Sequence, residues 1–206
     1  MKIELQSVAL EFITPNAAQL IERCGRTCYK SEDKITNESA SKFIKMLLER
    51  GHESVIEHAT ATIRVICDRG VSHEFVRHRL ISYSQESTRY CNYAKAKYGK
   101  EITVIAPAGI REGNPDGSWE LWTAAMHKAE EYYFHLLDCG HPPEIARSVL
   151  PNSLKTELVA TANFREWRHF LFMRNSPKAQ PQRREVAKMI GDTLHFRCPS
   201  GGADRI

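Results

Sequence analysis

The segment between His73 and Arg89 concentrates residue types that bind anions. It holds three arginines and two histidines, with serines, a threonine and a glutamine among them. A guanidinium group can donate two hydrogen bonds to the oxygens of one phosphate. Loop hydroxyls and backbone amides can complete such a phosphate-binding site. A solvated surface tends to use lysine and glutamate, and no lysine follows in the chain before Lys95. The spacing therefore predicts recognition of a small anionic ligand.

More arginines lie in the C-terminal third of the chain. Arg147 precedes a Leu-Pro pair, and three arginines and His169 lie among aromatic residues between Asn163 and Arg174. At 3.6 residues per turn, the Phe and Leu positions of this segment form the buried side of a helix, which leaves His169 and Arg174 on its rim. Their number indicates a shared anion site, although each arginine alone is typical of a surface or interface.

A metal-dependent hydrolase is a competing hypothesis, with His52, Glu57, His58 and His73 as candidate ligands. Zinc-binding helices place two histidines four residues apart, because those positions share one face. His52 and His58 are six apart, about 120° from a common face. The spacing argues against a metal site, so we expect none.

The elements that must position these residues alternate between helix and strand. Alternating polarity predicts strands over 1–11, 59–68, 101–107 and 154–162. Amphipathic spacing and capping residues predict helices over 15–29, 39–50, 71–80, 118–139, 144–149, 164–173 and 182–196. Thr14 is the predicted cap of the first of these helices, and Asn163 is that of the helix over 164–173. The hydroxyl-rich segment 82–93 is predicted to be a loop. Without a glycine-rich phosphate loop, the pattern indicates an α+β fold with a mixed or antiparallel sheet flanked by helices and no Rossmann motif.

Composition restricts the class of protein. The chain has 206 residues, 42% hydrophobic and 26% charged, with a formal net charge of +4. The length predicts one domain over 1–198, and the pair Gly201-Gly202 predicts a frayed tail over 199–206. The N-terminal segment lacks the apolar core of a signal peptide, so we expect a cytoplasmic protein with its six cysteines as free thiols. No segment has the length of a membrane span. A nucleic-acid-binding module is the least favoured alternative, because the charge excess is small and no such motif is present.

The chain resembles the flavin-dependent thymidylate synthases. Arg77-His78-Arg79, seven further residues and Ser87 match the R-H-R-x7-S signature of that family. Four companion segments also match in order: Gly51–His58, Tyr83–Tyr90, Ala146–Pro151 and Asn163–Arg174. The resemblance covers nearly the whole chain.

The resemblance implies an enzyme that methylates dUMP to dTMP. Methylenetetrahydrofolate would supply the carbon, and FAD reduced by NADPH would supply the reducing equivalents. The resemblance also implies a homotetramer with active sites shared between subunits and a reaction without a covalent enzyme nucleophile. We expect this protein to be cytoplasmic. We expect no nucleic-acid or membrane partner.

Family positions carried over one by one imply the site residues. Those facing FAD would be Ser54, Arg77, His78, Arg79, Gln85, Asn163, Phe164, Arg165 and His169, with His52 and Glu57 nearby. Those facing dUMP would be Glu74, Phe75, Val76, Arg77, Gln85, Glu86, Ser87, Thr88, Arg89, Arg147 and Arg174. Arg174 is the catalytic candidate, because a permanent cation at the base edge can stabilise charge on the uracil ring.

Three positions need separate interpretation. Ser87 has no visible His-Asp pair to activate it, so a phosphate-binding role is favoured over a nucleophilic one. Lys178 stands where many relatives carry histidine. Glu74 stands where some carry glutamine; it is expected to hold Arg77 or the ribose hydroxyl, because a bare carboxylate would repel a phosphate.

Overall fold

The structure is a computed structural model that describes residues 1–197. The helices are α1 (Ala17–Thr27), α2 (Ser39–Glu49), α3 (Arg69–Phe75), α4 (Ser118–Asp138), α5 (Pro143–Ala146), α6 (Phe164–Arg174) and α7 (Pro181–Arg197). The strands are β1 (Lys2–Glu4), β2 (Ser7–Ile13), β3 (Thr60–Asp68), β4 (Ser82–Gln85), β5 (Thr103–Ile105) and β6 (Lys155–Asn163). The predicted α+β class is confirmed. The predicted frayed tail and Cys198 lie outside the described residues.

Four of the strands form one sheet in the order β2-β3-β6-β4. Side chains on β3 and β6 alternate between buried and half-buried, so one face of each strand is packed and the other is partly open. A separate parallel pair joins β1 to β5, with Lys2 opposite Thr103.

The chain forms two compact units. The first comprises Met1–Ser7, Val65–Arg77 and Ser84–Leu158. Its core contains side chains from α4 and β5, including Trp122, Met126, Tyr133 and Val104. The second comprises Val8–Arg64, His78–Tyr83 and the described residues from Val159 onward, with a core that includes Ile21, Ile44 and Ile56. One catalytic domain over 1–198 stays a prediction.

Several predicted boundaries differ from the structure. The strand predicted over 1–11 is two strands, and the predicted loop 82–93 contains β4. The helix predicted over 71–80 ends at Phe75, leaving Leu80 exposed. Thr14 was predicted as the cap of α1, but the cap is Asn16 in a left-handed conformation, with φ 51°. The two helix differences fall at element ends, where local sequence signals are weakest.

Candidate active site

Helix α6 carries Arg165, His169 and Arg174, and two contacts fix its position. The Asn163 side-chain oxygen accepts a hydrogen bond from the backbone N–H of Glu166 at 2.9 Å, the N-cap role predicted for Asn163. The buried Trp167 donates its indole N–H to the carbonyl oxygen of Ala61 in β3 at 3.0 Å. Since the bond to β3 comes from the middle of the helix, it sets which side of α6 carries the site residues.

His78 is the centre of a cluster in the second unit. Its side chain is buried, and Arg174 donates its Nε–H to His78 Nε2 at 2.9 Å. The Phe170 ring lies edge-on to the imidazole with centroids 4.8 Å apart, and the His169 ring lies at 5.8 Å. The Tyr83 hydroxyl donates to the His78 carbonyl oxygen at 3.2 Å. The structure thus brings together His78, His169 and Arg174.

Glu166 lies on the opposite side of the His78 ring. Its Oε1 is 3.4 Å from His78 Nδ1, and both side chains are less than 10% exposed. Our sequence reasoning missed Glu166. The signal available was its position three residues after the Asn163 cap, which is typical of a capping box in which the glutamate reaches back to the start of the helix.

The buried position of Glu166 affects its ionisation. Burial raises the pKa of Glu166 above its ordinary value, while the charge of His169 acts in the opposite direction. A carboxyl group whose pKa is higher in the folded than in the unfolded state favours folding below its unfolded pKa, and this contribution is lost as the pH rises through the folded pKa.

The substitution Glu166→Gln should therefore stabilise the protein more at neutral than at acidic pH. The carboxamide has the same shape and carries no charge, so the free-energy cost of burying an ionised group disappears. Thermal unfolding of both proteins between about pH 5 and pH 8 checks this, with the difference in Tm growing more positive as pH rises. A difference that stays constant across that range would contradict it.

Arg165 is held by carboxylates. Its Nη1 lies 2.6 Å from Glu57 Oε1, and its Nε lies 3.7 Å from Glu53 Oε2. Both glutamates belong to a short 3-10 turn, Glu53–His58, that also contains the exposed Ser54. A diphosphate that contacts Arg165 must share this guanidinium with the carboxylates or displace them.

A cavity of about 410 Å³ lies in the first unit. Its lining includes Arg69, His73, Thr88, Glu144 and Arg147. Arg147 donates through Nη1 to the Thr88 hydroxyl at 3.0 Å and through Nε to the Glu144 carbonyl oxygen at 3.3 Å. Two arginines face one carboxylate, so the wall has a positive excess that favours an anion. The structure thus brings together Thr88 and Arg147. The Nε of Arg89 lies 3.8 Å from Oε2 of Glu144.

Gln85 is oriented by two fully buried hydroxyl groups of the first unit. Its Nε2 donates to Ser72 Oγ at 3.0 Å and to Thr156 Oγ1 at 3.1 Å. The Ser72 hydroxyl donates to the Arg69 carbonyl oxygen at 2.9 Å, so towards Gln85 it can only accept. This assigns the amide nitrogen to the buried side and leaves the Gln85 oxygen to accept from a ligand.

Thr156→Val should destabilise the protein and weaken the orientation of Gln85. Valine keeps the shape but removes the acceptor, and a buried donor left without its partner costs about 1–3 kcal/mol. Denaturant unfolding measures the loss. Thr161→Val is the matched control on β6, because the Thr161 hydroxyl pairs with half-buried Thr62 at 2.9 Å. If the free energy of unfolding fell by the same amount in both variants, the proposed role of Thr156 in orienting Gln85 would be contradicted.

Glu86 is neutralised by internal partners. Tyr93 donates its hydroxyl to Glu86 Oε1 at 3.1 Å, and Lys155 Nζ lies 3.2 Å from Glu86 Oε2. Burial and the neighbouring Glu86 charge raise the pKa of Tyr93, so its hydroxyl stays protonated as a donor. With both oxygens engaged, this carboxylate is shielded from an incoming phosphate.

The remaining predicted residues differ in accessibility. The side chain of Phe75 is only 3% exposed, so a contact between this residue and a substrate would fall to its backbone. Half-buried positions are Glu74, Ser87, Asn163 and Phe164, and exposed positions are Ser54, Val76, Arg77, Arg79, Arg89, His169 and Lys178. Our sequence reasoning missed Arg69, Ser72, Thr156 and Lys155, whose roles depend on contacts between distant segments.

The described part of the chain contains no candidate metal site and no candidate membrane helix. His52 and His58 are both exposed, and residues 1–197 contain no group of three His, Cys, Asp or Glu side chains arranged to hold a metal ion. Cys24, Cys28, Cys67, Cys91 and Cys139 are free thiols. Over the same range, no helix combines the length and the apolarity that crossing a membrane requires.

Comparison with known proteins places the chain in a family. Residues 9–200 match the family model described as thymidylate synthase complementing protein. A flavin-dependent thymidylate synthase of Pyrococcus furiosus is 35% identical over 84% of this chain and 70% of its own length. The corresponding protein of Geobacter sulfurreducens is 32% identical over 95% and 91%.

A solved structure is similar over almost the full length. The UMP/dUMP methylase PolB of Streptomyces cacaoi, bound with 5-Br dUMP, matches with a TM-score of 0.78 and 27% identity, over 95% of this chain and 93% of that one. The shared fold and the extent of these identities agree with the R-H-R-x7-S signature at Arg77–Ser87. The chain belongs to the family of flavin-dependent thymidylate synthases.

Proposed function

We propose that this protein methylates dUMP reductively to dTMP, with methylenetetrahydrofolate as carbon donor and without a covalent enzyme nucleophile. The observation that carries the proposal is the hydrogen bond from Arg174 to His78, the central residue of the signature. It holds a permanent cation beside a neutral, buried imidazole. Such a cation is suited to a pyrimidine that must become electron-rich at C5.

The dUMP site is assigned to Glu74, Phe75, Val76, Arg77, Gln85, Glu86, Ser87, Thr88, Arg89, Arg147 and Arg174. The bond between Arg147 and Thr88, at the wall of a cationic cavity, supports phosphate recognition there. The Gln85 oxygen would accept a hydrogen bond from the nucleotide. Arg174 is the catalytic residue of this proposal: it would stabilise negative charge on the ring as the proton leaves N3.

The flavin site is assigned to Ser54, Arg77, His78, Arg79, Gln85, Asn163, Phe164, Arg165 and His169. The donor chemistry fits FAD, because exposed guanidinium, imidazole and hydroxyl groups can contact a diphosphate and the polar edge of a flavin ring. Asn163 uses its side-chain oxygen in capping α6, so its amide nitrogen would be the group that donates to the cofactor. When bound, FAD would carry the reducing equivalents that NADPH supplies.

The assembly is proposed to be a cytoplasmic homotetramer. Leu80, Phe172 and Met173 of the second unit are large apolar side chains with at least 47% exposure. Exposed apolar groups of this kind are typical of contact surfaces between chains. Residues of the two assigned ligand sets would then meet across subunits.

The purified protein should bind FAD and should oxidise NADPH faster when dUMP is present. With methylenetetrahydrofolate added, it should release dTMP, which chromatography detects directly. UMP assayed in parallel tests whether the chain also accepts the ribonucleotide. A protein that binds no flavin, or that binds it but forms no methylated nucleotide, would overturn the proposal.

A further inference from the structure

We infer that Glu166 is a positioning residue for Arg174, acting through the buried ring of His78. The carboxylate, the imidazole and the guanidinium form one chain of contacts, 3.4 Å from Glu166 Oε1 to His78 Nδ1 and 2.9 Å from His78 Nε2 to Arg174 Nε. This inference rests on the proposed function of Arg174.

The direction of the bond at Arg174 determines the state of His78. A guanidinium can only donate, so His78 Nε2 must carry a lone pair. A neutral imidazole then has its proton on Nδ1, and Glu166 Oε1, 3.4 Å from that nitrogen, is placed to accept it. In the other tautomer, Nε2–H would point at the Arg174 N–H, and the bond would be lost. Glu166 therefore selects the tautomer that holds Arg174.

A helix-capping role does not account for Glu166 in the same way. In a capping box the cap side chain accepts from the backbone N–H of the glutamate, and the glutamate carboxylate accepts from the backbone N–H of the cap residue. The first bond is present between Glu166 N–H and Asn163, but Glu166 Oε1 lies 3.4 Å from His78 Nδ1. The carboxylate is also buried, and burial of an ionised group is unfavourable unless a partner compensates. A residue kept for stability alone would be better uncharged at this position.

The rest of the cluster restricts the imidazole. The Phe170 ring centroid lies 4.8 Å from that of the imidazole, and the Tyr83 hydroxyl donates to the His78 backbone carbonyl oxygen at 3.2 Å. With the ring held between these groups, the position of its proton is what Glu166 can change in the contact with Arg174. Control of the tautomer by Glu166 is thus control of the guanidinium orientation.

The test compares Glu166→Met with Glu166→Gln. Methionine fills a similar volume without an acceptor, whereas the glutamine oxygen can still accept from Nδ1–H. We expect kcat for dTMP formation to fall at least about tenfold in Glu166→Met, with a smaller change in KM for dUMP. Glu166→Gln should recover most of the activity. Thermal unfolding of both variants at neutral pH should match or exceed that of the wild type, which a merely structural role would not allow.

A double-mutant cycle identifies the partner through which Glu166 acts. In an Arg174→Lys background the bond from Nε to His78 is already absent, so Glu166→Met should reduce kcat little further. If Glu166→Met reduced kcat by the same factor in the Arg174→Lys background as in the wild type, the inference would be overturned. An unchanged kcat in the single variant Glu166→Met would also overturn it.

A readout independent of turnover separates this inference from the proposed function. Nitrogen NMR of protein labelled at histidine should give a His78 signal with the proton on Nδ1, assigned by its loss in His78→Gln. In Glu166→Met that signal should move to the other tautomer. If the wild type forms no dTMP, the proposed function fails while the spectrum still decides the tautomer. An unchanged spectrum in Glu166→Met would overturn the inference even in an active enzyme.

Discussion

Arg174→Ala is expected to reduce dTMP formation severely while leaving the flavin bound. Removing one preorganised group that stabilises charge in the transition state reduces kcat by about 10²- to 10³-fold. Arg174 lies at the last position of α6, which Trp167 anchors to β3 from within the buried core. The helix should therefore keep its place when the side chain is shortened. Single-turnover dTMP formation and the absorbance of bound flavin are the two measurements.

Two further variants make the Arg174 result interpretable. Arg174→Lys keeps the charge but loses the planar fork and the Nε donor, so we expect it to recover only part of the activity. Arg168→Ala is the matched control, because Arg168 lies on the same helix and pairs with Glu53 at 3.3 Å. Loss of a partly exposed pair should change kcat by less than about fivefold. Near-normal turnover in Arg174→Ala would reject the catalytic role.

Strong periodicity made part of the fold predictable. The alternation that predicted a strand over 59–68 corresponds to β3 (Thr60–Asp68), where the buried apolar positions are Ala61, Ile63, Val65 and Cys67. The helix predicted over 164–173 corresponds to α6, and its cap at Asn163 is confirmed. Such segments are predictable because one face must be apolar at the period of the element.

The strand β4 was not predictable from local sequence. Its residues, Ser82–Gln85, are three hydroxyl-bearing side chains and an amide, a composition typical of a loop. It forms because its backbone pairs with β6, a partner far away in the chain. Strand formation of this kind depends on the neighbouring strand more than on the strand's own residues.

The internal organisation of the candidate site was equally hidden. The family resemblance implied that His78 and Arg174 bind ligands, but no spacing rule links either of them to Glu166. Likewise Gln85 was implied by the resemblance, whereas Ser72 and Thr156 are ordinary buried positions whose hydroxyls meet Gln85 only in the folded chain. Residues that orient a functional side chain lie wherever the fold brings them, so a sequence motif does not record them.

The second large effect is expected at Arg147, in dUMP affinity rather than in chemistry. Arg147→Ala removes a guanidinium fork from the cationic wall shared with Arg69 and Thr88. A hydrogen bond to a charged group is worth about 1.5–3 kcal/mol, so we expect KM for dUMP to rise about 10- to 100-fold. The value of kcat at saturating dUMP should change much less, because phosphate contacts are the same in the ground and transition states.

Deoxyuridine distinguishes a phosphate contact from a contact to the base. Deoxyuridine lacks the phosphate and should compete only weakly with dUMP. Its inhibition constant should therefore be the same in Arg147→Ala as in the wild type. Arg147→Lys should give an intermediate KM for dUMP, because it retains the charge without bidentate geometry. Arg111→Ala, an exposed arginine of the first unit outside the cavity lining, is the matched control and should leave KM unchanged. If Arg147→Ala weakened the binding of deoxyuridine and of dUMP by the same factor, Arg147 would contact the nucleoside and not the phosphate. The proposal that this cavity binds the dUMP phosphate would then be wrong.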